Sequence, residues 1–432
     1  FKKQHIIINQ FIMKKFQSVR GMKDILPDES KFFRDLENVL ISSANQFGFK
    51  EIKTPILEDT NLFIKSIGGG TDIIEKEMYT FVDAKNNSFS MRPEGTASCA
   101  RALVEHGLND SINKVWYSGP FFRHERPQKG RYRQFHQFGA EFIGVESYEA
   151  DVEMISLINF IWKSLDVDPV LKINTIGDIQ DRKKYILVLL DYFSKYKHDF
   201  NEAEKNKLKV NPLRLLDSKN KNINEIIAQA PKITDHISME SKLHFDNILS
   251  ILDKKNIKYE QDDKLVRGLD YYNRTVFEYI DKNHESQNTI CAGGRYDFLF
   301  ENLCDKNIPA LGFAIGIERL LEYMNYNLES EKSNIFYIAV MNEGNYLYSQ
   351  NIANIIRKIS KNYIVSNSYS YVNLKAQLKK ANKLSADYCV IIGDEECSNN
   401  TCQIKNMDSG YQDAVDLDNI ETYLKSNIDD GN

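Results

Sequence analysis

The sequence predicts an α+β fold: a body of strands and helices, a helical insertion within it, and a separate C-terminal α/β domain. Three observations carry this. Residues 114–144 read as two strands, KVWYSGPFFRHE and RYRQFHQFGAEFIG, joined by RPQKG, where Pro127 and Gly130 punctuate a turn. Between about 177 and 255, Lys, Asn and Asp become dense, Gly nearly disappears and helical periodicity dominates. Beyond a polar linker at 325–334, the runs NIFYIAV, KNYIVSNS and DYCVIIGDEE alternate with helical segments, the order of a small α/β domain.

The elements follow in order. Residues 1–12, FKKQHIIINQFI, lack a starting Met and have no small-residue cleavage site after them, so they read as an extension ahead of a functional start near Met13. Residues 27–48 form a helix: Pro27 and Asp28 start it, Gly48 stops it, and Phe32, Phe33, Leu36, Val39, Leu40 and Phe47 recur at helical spacing. FKEIKTPILE is an extended run whose Pro55 suits an edge or interface strand. Residues 78–92 are strand-rich and 151–165 helical. Strand-like sequence returns at 265–280 and 288–297, and a helix opens around Gly316. Helices at 348–360 and 373–383 complete the tail. The expected domains are a body at 13–325 and a C-terminal domain at 335–432.

Composition sets limits. At roughly 100–200 residues per domain, 432 residues allow two to four domains. A net charge of −5 does not by itself point to nucleic acid, so such a partner requires a local basic patch. The six cysteines form no CxxC pair and lack zinc-site spacing, which leaves reduced thiols of a cytoplasmic protein as the simplest reading and no metal site from motif spacing. No apolar run approaches the ~18–20 residues of a membrane span.

Strand parity locates a polar face. Side chains alternate across a strand, so Arg131, Arg133, Phe135, Gln137, Glu141 and Ile143 share one face, and Tyr132, Gln134, His136, Phe138, Ala140 and Phe142 the other. On the preceding strand, Tyr117, Phe121, Arg123 and Glu125 share a face. One side of the hairpin thus gathers cations, an aromatic, an amide and carboxylates, the inventory for a charged, planar ligand; an exposed face of ion pairs is the alternative. Arg123, Arg126, Lys129, Arg131 and Arg133 surround the single anion Glu125, a patch suited to phosphates or an RNA backbone, or to nothing more than solvent. In ALGFAIGIERL (310–320) two glycines permit close approach to a nucleotide, and Arg319 projects from the new helix. LVRGLDYY (265–272) and CAGGRYD (291–297) each compress Gly, Arg, Asp and Tyr into a short run, and an Arg or Asp buried there needs a partner.

Taken together, these motifs resemble the histidyl-tRNA synthetase family of class II aminoacyl-tRNA synthetases, from about Val19 to the C-terminus. RGMKDILPDE resembles the family's opening signature, the helix and strand through Pro55 motif 1, YSGPFFRHERPQKGRYRQFHQFGAEFIG motif 2, and GFAIGIERL motif 3. LVRGLDYY and CAGGRYD are similar to its two histidine-specific motifs. The resemblance implies a class II antiparallel sheet flanked by helices, the helical insertion, and a C-terminal α/β anticodon-binding domain. It also implies a homodimer that activates L-histidine with ATP and Mg²⁺ and loads it onto tRNA(His).

Residue by residue, the resemblance implies that Arg123 meets the α-phosphate, with Glu125 in the same ATP site, and that Phe135 stacks on adenine. Arg319 covers the other adenine face and nears the γ-phosphate. Glu94 and Thr96, in MRPEGTA, hold the histidine α-amino group, and Gln137 bridges amino acid and nucleotide. Glu141 and Tyr272, beside Tyr271, bond the imidazole, and Arg267 acts on both reacting anions. Arg126, Gln128, Lys129 and Arg131 meet the tRNA acceptor end. The chain departs from the family's Gly-rich loop after CAGGRYD, with Phe298 and Cys304–Asp305 where small residues are common. Competing readings are a synthetase-like regulatory subunit of histidine biosynthesis without aminoacylation activity, another class II synthetase, and a non-catalytic RNA-binding module. The two histidine-specific motifs and the three arginines favour the ligase.

Overall fold

The structure, a computed structural model, describes residues 16–216, 218, 220–283, 289–327 and 333–428. The expected extension 1–12 lies outside the described residues. The chain divides into two compact units, Phe1–Leu328 and Glu329–Asn432. Among the described residues no helix is long and apolar enough to cross a membrane.

The first unit opens with α1 (Pro27–Gln46), started by Pro27 at its first turn, where a missing N–H costs nothing, and by Asp28 and Glu29 against the helix dipole. Its buried stripe is Phe33, Leu36, Leu40 and Ala44. Gly48 takes a left-handed φ of +80° and turns the chain out of the helix. The expected extended run resolves into two short strands, β1 (Lys50–Glu51) and β2 (Leu57–Asp59). Asp59 caps α2 (Thr60–Ile67) by accepting the Asn61 N–H at 2.8 Å. Strands β3 (Thr80–Val82) and β4 (Ser88–Met91) join β2 in a small sheet of order β2-β4-β3. Next come α3 (Thr96–Glu105), the hairpin β5 (Asn113–Phe122) and β6 (Gln134–Ile143), α4 (Tyr148–Ser164) and β7 (Val170–Thr175).

Among the described residues the insertion holds four α-helices, α5 (Ile179–Ser194), α6 (Glu202–Val210), α7 (Asn224–Ala228) and α8 (Met239–Lys254), with short 3-10 turns between α6 and α8. After it run β8 (Tyr259–Gln261), β9 (Asn273–Ile280), β10 (Thr289–Arg295), α9 (Glu301–Cys304), β11 (Ala310–Gly316) and α10 (Ile317–Tyr323). The main sheet has order β1-β5-β6-β11-β10-β9-β7-β8. It is antiparallel except at its two edges, where β1–β5 and β7–β8 are parallel. Phe138, Ala140 and Phe142 of β6, with Phe313 and Ile315 of β11 and Phe277 of β9, pack beneath α1, α4, α8 and α10. The opposite face, shielded from those helices, carries the site.

One expectation changes here. The strand expected over 265–280 begins only at Asn273; residues 265–272 join no ladder, and the Asp270 N–H goes to the Ile67 carbonyl instead. Asp305 takes a left-handed φ of +54° and closes α9.

The second unit is a sheet of order β13-β12-β14-β15-β16, from β12 (Asn334–Val340), β13 (Tyr363–Asn367), β14 (Tyr388–Ile392), β15 (Thr401–Asn406) and β16 (Gln412–Asp416). The first three are parallel and the last two antiparallel. The helices are α11 (Tyr346–Ile359), α12 (Leu374–Lys383), α13 (Asp394–Asn399) and α14 (Ile420–Ile428). The last hairpin and α14 were not expected: TCQIKN and QDAVD are too short and polar to stand out as strands.

Candidate active site

A cavity of about 390 Å³ opens on the face of the main sheet opposite α1, α4 and α8. Strand pairing explains its floor. Tyr117 lies opposite Gly139, Gly119 opposite Gln137 and Phe121 opposite Phe135, and directly paired residues share a face. Gln137 and Phe135 therefore rise beside Tyr117, as parity requires. Parity fails before Gln134, where the chain is not yet a strand: Tyr132 lines the cavity, while Arg133 turns away to donate to the Glu125 carbonyl at 3.2 Å.

Of the residues singled out from sequence, Glu94, Thr96, Arg123, Glu125, Arg131, Phe135, Gln137, Arg267, Tyr271, Tyr272 and Arg319 line this cavity. Arg126, Gln128 and Lys129 do not; they sit exposed at the hairpin tip. Arg131, grouped with that tip, instead turns inward and pairs with buried Glu125. Glu141 lies beneath the lining.

The arginines are fixed by carbonyls. Arg123 donates to the Pro93 carbonyl at 2.8 Å, and its guanidinium stands 5.3 Å from the Phe135 ring centroid. Arg319, in the first turn of α10, donates to the carbonyls of Gly130 (3.1 Å) and Thr289 (2.9 Å). Burial lowers the Arg319 pKa, and the neighbouring Arg131 and Arg123 charges lower it further. Cations that repel one another around a cavity are stabilised by an anion within it. Arg267 pairs with Glu278, and its guanidinium stands 5.6 Å from the Tyr272 ring centroid. Three polar atoms of the lining residues are buried with no hydrogen-bond partner: Gln137 Oε1, Arg267 Nε and Glu125 Oε2, the last of which faces Arg131 in an ion pair. Orphaned groups of this kind are costly unless a ligand satisfies them.

The carboxylates form a second tier. Glu94 accepts the backbone N–H groups of Thr96 (2.8 Å) and Ala97 (2.9 Å), and the Tyr271 hydroxyl at 3.4 Å. Glu141 accepts three hydroxyls: Thr96 at 2.8 Å, Tyr117 at 3.1 Å and Tyr296 at 2.5 Å. Burial pushes its pKa up to about 8, and the nearby Glu94 charge adds to the shift. Gly312 lies opposite Glu141 on β11, and a Cβ there would come within 1.6 Å of Glu141 Oε2. This glycine therefore makes room for a carboxylate, and it also lines the cavity.

The Arg and Asp of CAGGRYD find their partners. Arg295 is fully buried and donates to Asp151 (2.8 Å), Asp297 (3.2 Å) and the carbonyls of Val145 (3.1 Å) and Ser147 (2.7 Å). Asp297 also accepts Asn273 Nδ2 at 2.7 Å and the Ala310 N–H at 3.0 Å, tying the starts of β9 and β11 to the end of β10. Between Arg295 and Asp297 stands Tyr296, the hydroxyl on Glu141.

Sequence reasoning did not assign Tyr117, Tyr296, Glu278 or Thr289 to the site. Tyr117 was already on the correct parity face and Tyr296 within CAGGRYD. Nothing in the sequence marks Glu278, which pairs with Arg267 and accepts the Thr289 hydroxyl at 3.0 Å.

Known proteins resemble this chain over nearly its whole length. A family profile described as histidyl-tRNA synthetase matches residues 21–177 and 195–320, and one described as an anticodon binding domain matches 336–427. The chain is 43% identical over 420 residues to the histidine--tRNA ligase of Ruthia magnifica subsp. Calyptogena magnifica, spanning 96% of this chain and 99% of that one. It is 41% identical over 422 residues to the ligase of Marinomonas sp. (strain MWYL1), spanning 96% and 100%. Among solved structures, apo S. aureus histidyl-tRNA synthetase superposes with a TM-score of 0.79 at 34% identity, over 95% of this chain and 100% of the other. A Bacillus halodurans protein titled ATP phosphoribosyltransferase regulatory subunit/histidyl-tRNA synthetase shares the fold, with a TM-score of 0.60 at 20% identity over 85% and 96%. Matching profiles in both units, and this identity over nearly the whole length, mean that the chain belongs to the histidyl-tRNA synthetase family.

Proposed function

We propose that this protein is a histidine–tRNA ligase: it activates L-histidine with ATP, releasing pyrophosphate, and transfers histidine to the 3′-terminal adenosine of tRNA(His). The observation that carries the reading is the convergence of Arg123, Arg267 and Arg319 on one cavity whose lining includes orphaned atoms of Gln137 and Arg267. Phe135 takes the adenine ring on its face, Arg319 covers the ring's other side and nears the γ-phosphate, and Arg123, beside Glu125, meets the α-phosphate. Mg²⁺ arrives with the ATP phosphates as part of the substrate.

Glu94 and Thr96 hold the histidine ammonium group, and Gln137 reaches toward both substrates. Tyr272, beside Tyr271, takes one imidazole nitrogen. Glu141 takes the other, giving up one of the three hydroxyls it holds in the free site. Pairing both ring nitrogens rejects other amino acids, because a wrong side chain leaves buried polar groups unpaired. A histidine carboxylate oxygen attacks the α-phosphorus; the new P–O bond forms as the bond to pyrophosphate breaks. Arg267 binds an oxygen of each anion and stabilises charge developing at phosphorus. The tRNA 3′-hydroxyl then attacks the adenylate carbonyl and releases AMP. Arg126, Gln128 and Lys129, exposed at the hairpin tip, suit the acceptor end, with Arg131 nearer the cavity; the C-terminal unit takes the anticodon.

The protein acts in the cytoplasm as a homodimer, consistent with the exposed Leu57, Phe81 and Val82 of the small sheet. The reading predicts ATP–pyrophosphate exchange with histidine and with no other amino acid. Wild-type protein that binds histidine but shows no exchange would falsify it and favour the regulatory alternative. Deleting residues 335–432 is expected to abolish tRNA charging and spare exchange; unchanged charging would remove the anticodon assignment.

A further inference from the structure

The segment 265–272 carries Arg267, Tyr271 and Tyr272 into the cavity without belonging to a helix or a strand. What holds it comes largely from the insertion. Asn211, just after α6, donates to Asp270 Oδ1 at 2.9 Å, and Arg214, in the 3-10 turn that follows, donates to Oδ2 at 2.7 Å. Arg182 of α5 donates to the carbonyls of Asp270 (2.6 Å) and Tyr272 (3.1 Å), and lies 3.6 Å from the Asp270 carboxylate. The Asp270 N–H donates to the Ile67 carbonyl at the end of α2 (3.1 Å). Glycines let these pieces close up: a Cβ on Gly68, at φ +97°, would lie 2.6 Å from Asp270 Oδ2, and one on Gly70 would lie 2.1 Å from the Val210 side chain.

We infer that Asp270 is a positioning residue through which the helical insertion sets the geometry of Arg267, Tyr271 and Tyr272. Its own carboxylate is not among the cavity lining. A charge-assisted clamp on an irregular segment replaces the ladder bonds that a strand would supply. A displacement near 1 Å at reacting groups costs roughly 10²-fold in rate, so the clamp's geometry bears directly on turnover. Apart from Arg267, the groups assigned to ATP stand just after β5, on β6 and on α10, and none of them bonds Asp270.

This inference rests on the proposed ligase reading and makes a separable prediction. In histidine-dependent ATP–pyrophosphate exchange, Asp270→Asn and Arg214→Gln should each lower kcat and raise the KM for histidine, for a loss of about tenfold or more in kcat/KM, with the KM for ATP within about twofold of wild type. The double variant should be little worse than either single one, because both break the same clamp. Arg214→Lys, which keeps one charged donor, should recover part of the loss. Loss of kcat alone with both KM values unchanged would indicate a merely smaller folded fraction and would overturn the proposal. So would fully additive losses, or wild-type kinetics in both single variants. If Asp270→Asn fails to fold, Arg214→Gln, whose side chain lies partly at the surface, decides by the same split. Absence of exchange in the wild type overturns the ligase reading itself.

Discussion

The two walls of the cavity are built by different physics. Arg123, Phe135 and Gln137 stand on or beside a regular antiparallel hairpin, where backbone ladder bonds fix every side chain at once and parity alone decides its direction. Arg267, Tyr271 and Tyr272 stand on a segment with no ladder, fixed by the Asp270 clamp and, next to it, by the buried Arg295–Asp151–Asp297 network. A ladder tolerates changes of side chain because its bonds are main-chain bonds. A wall held by side chains loses its shape when one of them is removed.

That contrast is broken or sharpened by four measurements. The largest effect is expected at Arg295. Replacing it with Met leaves Asp151 and Asp297 buried without their cation, a loss of about 3–5 kcal/mol in unfolding free energy by denaturant titration. A loss below about 1 kcal/mol would mean that the network is dispensable and the contrast is wrong. Next comes Arg267→Ala, which should slow adenylation by about 10²–10³-fold, in the range of a lost transition-state donor, while weakening histidine binding far less. Equal losses would make Arg267 only a binding group. On the ladder side, Phe135→Ala should raise the KM for ATP about tenfold through lost stacking and leave the KM for histidine and the thermal midpoint near wild type; a histidine effect of equal size would show that the walls are not independent.

The fourth measurement follows a pH dependence. Folded Glu141 keeps its proton up to about pH 8, because burial disfavours its charge, whereas the ordinary glutamate value is 4.5. Between those values unfolding releases a proton, so this group's contribution to stability falls as pH rises, by about 1.4 kcal/mol per pH unit, and levels off above 8. Thermal midpoints of wild type and Glu141→Gln, compared from pH 5 to about pH 9, should diverge with that sign; parallel curves would remove the shift.

The same contrast governs what could be read from sequence. Phe135, Gln137 and Arg123 were legible because alternation along β5 and β6 is a periodic signal. It misled at Tyr132 and Arg133, where the strand had not begun. The importance of LVRGLDYY and CAGGRYD was legible from residue type, since a compact Gly-Arg-Asp-Tyr run is a poor apolar core, and the resemblance then assigned duties to its residues. What no periodicity encodes is which distant group answers a buried charge. Asp151 for Arg295, Arg214 for Asp270 and Glu278 for Arg267 are partners made by tertiary packing. In the second unit, the final hairpin stayed hidden because short polar strands resemble loops.

Gly312 carries a consequence for heredity. Every single-base change in a glycine codon that alters the amino acid yields a residue with a Cβ or a stop, and any such Cβ falls on the Glu141 carboxylate. The codon thus has no conservative neighbour. Drift at this position is closed unless position 141 changes first, so the two sites are expected to be inherited as a pair among working copies of the gene.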